Sequence, residues 1–173
     1  MSLSAVSAGC IGSRFFASVS NSAGSVSSRE ALLLGVAPSA TLLAGAPGVP
    51  GSADGTLAQA RFSTANYLAV NASGQVAVGD FGNHTVRLVA AGNVSTLAGV
   101  PGQPGHGDGT GTNVRFNGPG GMAFDSAGNL FVADWDNHVI RRVTPAGVVS
   151  TLAGTPGAAG SFDGTGAGAR FSN

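Results

Sequence analysis

The stretch Asn129-Leu-Phe-Val-Ala-Asp-Trp-Asp-Asn-His-Val-Ile-Arg-Arg-Val143 decides the architecture of this 173-residue chain. It holds two short apolar segments of strand length, separated by a polar turn rich in aspartate and asparagine. A second version lies upstream as Gln75-Val-Ala-Val-Gly-Asp-Phe-Gly-Asn-His-Thr-Val-Arg-Leu-Val89. Matching residues are 54 positions apart, for example Asp134 and Asp80 (134 − 80). A fixed period of this size is typical of propellers and solenoids.

A glycine-rich linker precedes each version and repeats with almost the same period. Its shared features are Thr-Leu at 41, 96 and 151, Pro-Gly at 47, 101 and 156, Asp-Gly-Thr at 54, 108 and 163, and Arg-Phe at 61, 115 and 170. Long loops in compact domains are uncommon and are often functional. Because this loop repeats with its key residues, we expect it to pack in the same way on each repeat. Its phenylalanines, Phe62, Phe116 and Phe171, are the expected anchors between repeats.

Each full repeat contains four short apolar segments joined by turn residues. In the second repeat these segments are 121–125, 129–133, 138–143 and 148–152. Several of them are apolar at both alternating positions, which predicts a sheet that is covered on both faces. Blades stacked around an axis provide such cover. The sequence therefore predicts an all-β chain, an incomplete β-propeller with four-stranded antiparallel blades at 66–97 and 121–152.

The motif Ala133-Asp134-x-x-Asn137-His138-x-Ile140-Arg141 resembles the NHL repeat, and so does Asp80-x-x-Asn83-His84-x-Val86-Arg87. The resemblance covers residues 41–173. It implies a β-propeller, commonly of six blades, and a role in protein–protein contacts or, in some families, in binding single-stranded RNA. At about 54 residues per blade, two clear copies do not close a ring, since closure generally takes at least about four blades. We therefore expect a fragment of a larger ring, a ring closed by self-association, or an open arc.

Residues 1–40 carry no clear motif. The segments 14–19, 21–24 and 31–36 have the pattern strand, turn, strand, and they precede the first Thr-Leu. This pattern favours a degenerate first repeat, a possible third blade, whereas the third linker, up to Asn173, is the expected start of a further repeat. A partly disordered leader rich in serine and alanine is the alternative.

Composition excludes several classes of protein. Glycine accounts for 29 residues, only 9% of residues are charged, the net charge is 0 and lysine is absent. A surface that binds duplex nucleic acid needs a basic patch, so no duplex partner is expected. The single cysteine, Cys10, allows neither an intrachain disulfide nor a cysteine-based zinc site. No apolar run approaches the roughly 18 residues of a membrane span.

The polar residues shared by the two repeats are the main site candidates. They are Asp80, Asn83, His84 and Arg87 in the first repeat, and Asp134, Asn137, His138 and Arg141 in the second. A catalytic site normally occurs once, whereas a network that stabilises a blade recurs. We therefore interpret the two sets as structural networks with partly buried Asp–Arg ion pairs, and only secondarily as a ligand site. Positions that differ between repeats, His106 and Trp135, are the better surface candidates for ligand or partner contact.

No metal or cofactor is expected. Zinc needs three or four convergent ligands, but His84 and His138 belong to different repeats. The Asp-Gly-Thr segments at Asp54, Asp108 and Asp163 suit tight turns better than a calcium site, since the acidic spacing of an EF-hand is missing.

The leading hypothesis for function is a non-catalytic binding or scaffold module that mediates protein–protein interaction. The alternative is part of a six-bladed enzyme of the lactonase or lyase type, which by resemblance would hold a metal at the central axis. The innermost strands offer only Asp125, opposite Asn71, for such a site. No nucleophile motif is present, and Glu30 is the only glutamate, so no catalytic residue is assigned. A truncated gene product without independent function is a third hypothesis.

Overall fold

The computed structural model describes residues 41–173 and four short strands that precede them. These strands are β1 (Arg14–Phe15), β2 (Ser18–Asn21), β3 (Gly24–Ser27) and β4 (Ala31–Leu32), with β1 paired to β4 and β2 paired to β3. The chain divides into two units, residues 1–41 and 42–173. The other residues of 1–40 lie outside the described part, so the choice between a degenerate repeat and a leader stays a prediction.

Blade 1 is an antiparallel sheet of five strands. Its strands are β5 (Gly55–Thr56), β6 (Ala65–Val70), β7 (Val76–Asp80), β8 (Thr85–Ala90) and β9 (Asn93–Ala98), in the spatial order β5-β9-β8-β7-β6. The last four strands form the expected meander. The short β5 belongs to the linker and adds to the outer edge.

Blade 2 repeats this meander with strands β10 (Pro119–Phe124), β11 (Leu130–Asp134), β12 (Val139–Val143) and β13 (Val149–Ala153). A single antiparallel bridge between Gly109 and Val149 takes the place of β5. The remaining elements are 3-10 turns at Phe81–Asn83, Gly111–Asn113, Trp135–Asn137 and Gly166–Gly168. The prediction of an all-β chain with two four-stranded antiparallel blades is confirmed, and residues 41–173 form no closed ring. No helix in this described part is long and apolar enough to cross a membrane.

The linker before each blade pairs with that blade's outermost strand through backbone hydrogen bonds. In blade 2, the amide of Gly109 donates to the Val149 carbonyl at 3.0 Å, and the Val149 amide donates back at 2.7 Å. In blade 1, β5 makes the corresponding pairing with β9. An outer strand would otherwise present unpaired backbone groups to solvent. The repeated loop therefore has a structural task, as its repetition predicted.

The larger of two buried hydrophobic clusters lies between the two blades, and the smaller one lies between blade 1 and its own linker. The face of each blade that contains Ala77, Val86 and Ala98, or their counterparts, is called here the forward face, and the opposite face is the rear face. The forward face of blade 1 packs against the rear face of blade 2, and Val114 and Phe116 of the linker complete the cluster. The residues of the rear face in this cluster are Leu130, Val132, Val143 and Val149. This cover on both sides accounts for the strands that are apolar at both alternating positions.

The two blades approach each other closely at Gly79. A Cβ atom at this position would lie 2.7 Å from the Pro119 carbonyl oxygen, so only glycine lets the two backbones approach this far. The corresponding residue on the forward face of blade 2 is Ala133, which is partly exposed.

Candidate functional site

Asp134, at the end of β11, is the centre of a buried polar cluster in blade 2. Its Oδ1 accepts the backbone N–H of Asn117 at 2.7 Å. Its Oδ2 accepts the side-chain amide of Asn137 at 2.7 Å and Nη1 of Arg141 at 2.7 Å. The 3-10 turn between β11 and β12 brings the three side chains together, because it reverses the direction of the chain within three residues. These are three of the four residues that the sequence predicted for this blade.

The arginine of this cluster connects the strand to the linker. Nη1 of Arg141 also donates to the Arg115 carbonyl at 3.1 Å, and Nη2 donates to the Gly107 carbonyl at 2.9 Å and to Asp108 Oδ1 at 2.7 Å. The guanidinium lies over the ring of Phe116, 5.1 Å from the ring centroid. Cation–π contact and two charged hydrogen bonds therefore act on the same group.

Asp108 also bonds to β13, the outermost strand of blade 2. Its carboxylate accepts the backbone N–H of Thr151 at 3.0 Å and the Thr151 hydroxyl at 3.1 Å. Asn137 adds a further link by donating to the Gly105 carbonyl at 2.6 Å. The linker is thus held to β11, β12 and β13 through side chains.

Blade 1 contains the same arrangement. Arg87 donates to Asp80 at 3.0 Å and to Asp54 at 2.6 Å, and it lies 5.1 Å from the centroid of the Phe62 ring. Asp54 accepts from the backbone and hydroxyl of Thr96 at 3.0 and 3.1 Å. The sequence marked Asp54 and Asp108 as turn residues and missed their role as the second carboxylate of each arginine. Their regular distance from the arginine, 33 positions in both repeats, was the available signal.

Burial decides what these clusters can do. The side chains of Asp80, Arg87, Asp134 and Arg141 are all 0% exposed. Burial raises the pKa of Asp134 above its ordinary value, while hydrogen bonds from Asn137 and Asn117 and the charge of Arg141 act against that rise. Because the groups are inaccessible and bonded to one another, their geometry is that of a structural network. A role for them as a ligand site stays a prediction.

The two histidines stand apart from the carboxylate clusters, contrary to the expectation that they would join them. Both follow the 3-10 turn in a left-handed backbone conformation, with φ of 58° at His84 and 57° at His138. His84 Nδ1 accepts the backbone N–H of Gly118 at 3.2 Å, which ties blade 1 to the linker of blade 2. Nδ1 of His138 is buried and has no hydrogen-bond partner among the described residues.

The two surface candidates are solvent-accessible. His106 is exposed in the linker, and Trp135 is 38% exposed in the turn after β11. Trp135 also contacts Tyr67 of blade 1, with ring centroids 6.4 Å apart. The sequence missed Tyr67, which lies on the innermost strand of blade 1 where blade 2 has Gly121.

No group of three or more potential metal ligands occurs among the described residues. Asp125, the one acid at the end of an innermost strand, is engaged in its own turn. It accepts the backbone amides of Ala127 and Asn129 at 2.9 and 2.8 Å and the Asn129 side-chain amide at 2.8 Å. These hydrogen bonds, above all that from the Asn129 side chain, hold the pKa of Asp125 below its ordinary value. Its counterpart Asn71 caps the equivalent turn in blade 1.

Two clefts accompany the blades. One, of about 320 Å³, lies between them and is lined by residues that include Asn71, Gln75, Leu97, Phe124 and Val143. The other, of about 210 Å³, lies on the forward face of blade 2 and is lined by residues that include Trp135, His138, Ile140 and Phe171. On the matching face of blade 1, Gly79, the counterpart of Ala133, lies against Pro119 of β10.

Comparison with known proteins agrees with the blade architecture. Residues 116–142 match the model of the NHL repeat, so the resemblance noted from the sequence is confirmed for blade 2. No curated protein matches the chain.

Two solved structures from Bacteroides species share the fold. A protein of unknown function from Bacteroides thetaiotaomicron is 28% identical with a TM-score of 0.50, over 53% of this chain and 24% of its own. An auxiliary nutrient binding protein from Bacteroides ovatus is 24% identical with a TM-score of 0.53, over 66% of this chain and 31% of its own. The chain therefore spans between about a quarter and a third of the length of these two proteins.

Proposed function

We propose that this chain is a non-catalytic binding module whose blade faces mediate protein–protein contact. One observation carries the proposal: the forward face that is covered in blade 1 bears exposed apolar side chains in blade 2. Leu152 is 49% exposed and Phe171 is 37% exposed, whereas Phe116, the counterpart of Phe171, is fully buried between the blades. Exposed apolar surface next to polar residues is typical of interaction sites.

The rear face of blade 1 has the same character. Leu68 and Val70 on β6 are 67% and 57% exposed. Their counterparts in blade 2, Met122 and Phe124, pack against the core between the blades. Both faces are thus built for contact with another sheet, and association between copies of this chain is one form that such contact takes.

The chemistry of the described residues supports a non-catalytic role. The shared Asp and Arg side chains bond to each other and are closed to solvent. The carboxylate of Asp125, on which an axial metal would depend, is already satisfied by three amide donors.

Site-specific photocrosslinking tests the proposal. A photoreactive phenylalanine analogue is placed at Leu152 or at Leu68, and the matched control carries it at Val148, which is 42% exposed in a turn of blade 2. We expect discrete crosslinked products from the two face positions in extracts of the source cells, and none from the control. A product containing two copies of the chain identifies self-association, and a product with another protein identifies a heteromeric partner. Equal labelling from all three positions would contradict the proposal.

A further inference from the structure

The cleft of about 320 Å³ between the two blades has a lining without any charged side chain. All of its lining residues belong to blade 1, blade 2 and the turns between their strands. The cleft is therefore a property of the contact between these two blades. Its volume lies at the lower end of the range of small-molecule sites, which is about 300–1,000 Å³.

One side of this cleft is apolar. Leu97 of β9 and Phe124 of β10 line it, and both are partly buried where they pack against the cluster between the blades. Leu88 of β8 lies beside them and is also only partly buried. An apolar group placed against these side chains would leave water, which favours binding.

The opposite side is formed by the turn between β6 and β7. Asn71 Oδ1 accepts the backbone amides of Ser73 and Gln75, both at 3.0 Å. These two bonds fix the orientation of the Asn71 amide, because only its oxygen can accept them. Asn71 Nδ2 then donates to Gln75 Oε1 at 2.7 Å, which fixes the orientation of the Gln75 amide in turn.

This chain of bonds leaves a donor at the cleft. Gln75 Nε2 has no hydrogen-bond acceptor among the described residues. In blade 2 the corresponding pair is Asp125 and Asn129, and there the Asn129 amide donates to Asp125 Oδ2 at 2.8 Å, so its donor is used within the turn. The direction of the bond is reversed in blade 1, and the amide of Gln75 is held in place with its N–H groups free to bind another molecule.

A second uncharged donor lines the cleft from blade 2. Thr144 Oγ1 accepts the backbone amide of Val148 at 3.1 Å, which leaves the hydroxyl hydrogen of Thr144 available. The polar groups of the cleft thus suit a ligand that brings an uncharged acceptor. An ionic ligand is disfavoured, because a charge that loses its hydration here would find no opposite charge in the lining.

We infer that this cleft binds a small, uncharged molecule that carries a carbonyl oxygen next to an aliphatic group. The carbonyl oxygen would accept from Gln75 Nε2, and the aliphatic group would lie against Leu97 and Phe124. Because the Gln75 amide is already oriented by Asn71, little further ordering is needed, and preorganisation of this kind favours affinity. The site is separate from the blade faces proposed for protein contact and goes beyond that function.

A titration followed by amide chemical shifts in NMR tests this site. The probe is N-acetyl-L-leucinamide, added to the full chain, and we expect saturable shifts for the backbone amides of residues 71–75 and of Thr144. Gln75→Glu keeps the oxygen that accepts from Asn71 and replaces the Nε2 donor by a second oxygen. This variant should bind at least about tenfold more weakly. The matched control is Gln103→Glu, since Gln103 Oε1 also accepts a side-chain bond, from Arg115 at 2.7 Å, and it should bind within about twofold of the wild type.

Two analogues test the site without changing the protein. N-acetyl-L-leucine adds a carboxylate and acetamide lacks the aliphatic group, and each should bind at least about tenfold more weakly than the probe. Absence of saturable shifts, or equal binding by wild type and Gln75→Glu, would overturn the inference. A capped Gly-Leu-Gly peptide that binds at least about tenfold more tightly than the probe would overturn the assignment to a small molecule and identify a peptide segment as the occupant.

Discussion

Arg141 Nη1 lies 2.7 Å from Asp134 Oδ2, and neither side chain is exposed to solvent. A buried ion pair of this kind contributes little net stability relative to well-packed apolar residues, because both charges lose their hydration. Removing only one partner is different, since it leaves an uncompensated charge in a site that water does not reach. Because both side chains also bond to the linker, this ion pair holds the linker to its blade.

The first prediction concerns this ion pair. Arg141→Met keeps much of the side-chain volume but leaves Asp134 unpaired, and it should lower the free energy of unfolding by about 3–5 kcal/mol. Denaturant unfolding of the full chain measures the loss. The matched control is Arg142→Met at the neighbouring, exposed position of β12, where we expect a change within about 0.5 kcal/mol. Adding Asp134→Asn to Arg141→Met should recover part of the loss, and strict additivity of the two changes would contradict the ion-pair explanation.

The second prediction concerns the close approach of the blades. A Cβ atom at Gly79 would meet the Pro119 carbonyl oxygen at 2.7 Å, so Gly79→Ala must push blade 2 away. We expect a loss of about 1–3 kcal/mol in unfolding free energy. Gly121→Ala on β10 is the control, because its Cβ would meet no atom within 4 Å. That variant should be neutral or more stable by up to about 1 kcal/mol. Similar losses in both variants would show that strand propensity, and not the blade contact, governs the effect.

Much of the fold was predictable because its determinants are local or periodic. Asp134, Asn137 and Arg141 lie three and seven positions apart, so a short turn between two strands brings them together. Apolar residues at both alternating positions of a strand likewise indicate burial on both of its faces. Such signals need no knowledge of distant chain segments.

The missed features depend on contacts between distant positions. Asp108 meets Arg141 across 33 positions, and its Asp-Gly-Thr segment has the composition of an ordinary turn. The short strand β5 consists of two residues, too few for any periodicity. Tyr67 contacts Trp135 only because blade 2 packs beside blade 1. The contact of His84 also joins distant positions, since its partner is a backbone amide of the next linker.

The third prediction concerns the attachment of the linker to the outermost strand. Asp108→Asn removes the negative charge that bonds to Arg141 and Thr151. The Asp108 side chain is 48% exposed in the folded chain. Because solvent screens part of this interaction, we expect a global loss of only about 1–2 kcal/mol. The larger effect should be local: amide hydrogens of Gly109 and Val149 should exchange faster than those of β11. Asp136→Asn serves as the charge-matched control and should leave these exchange rates unchanged. Uniform acceleration across blade 2 would contradict a local opening.

The fourth prediction concerns acid stability and the turn at Asp125. Hydrogen bonds hold the folded-state pKa of Asp125 below the ordinary value of 3.8. A carboxylate with a lowered pKa contributes stability that is present above about pH 3.8 and is lost as the pH falls through its folded-state pKa. Asp125→Asn should remove this dependence and keep the turn, because Asn71 makes the equivalent backbone contacts in blade 1 at 3.0 Å.

Urea midpoints of the two proteins between pH 2 and pH 6 provide the measurement. The wild type should lose more stability than Asp125→Asn on acidification, so that their difference narrows or reverses at the lowest pH. Asp134 has the opposite tendency, since burial raises its pKa and its ionisation costs stability as the pH rises. That residue is present in both proteins, so its contribution cancels in the comparison. Parallel pH profiles for wild type and variant would show that the Asp125 carboxylate does not contribute to stability through its charge.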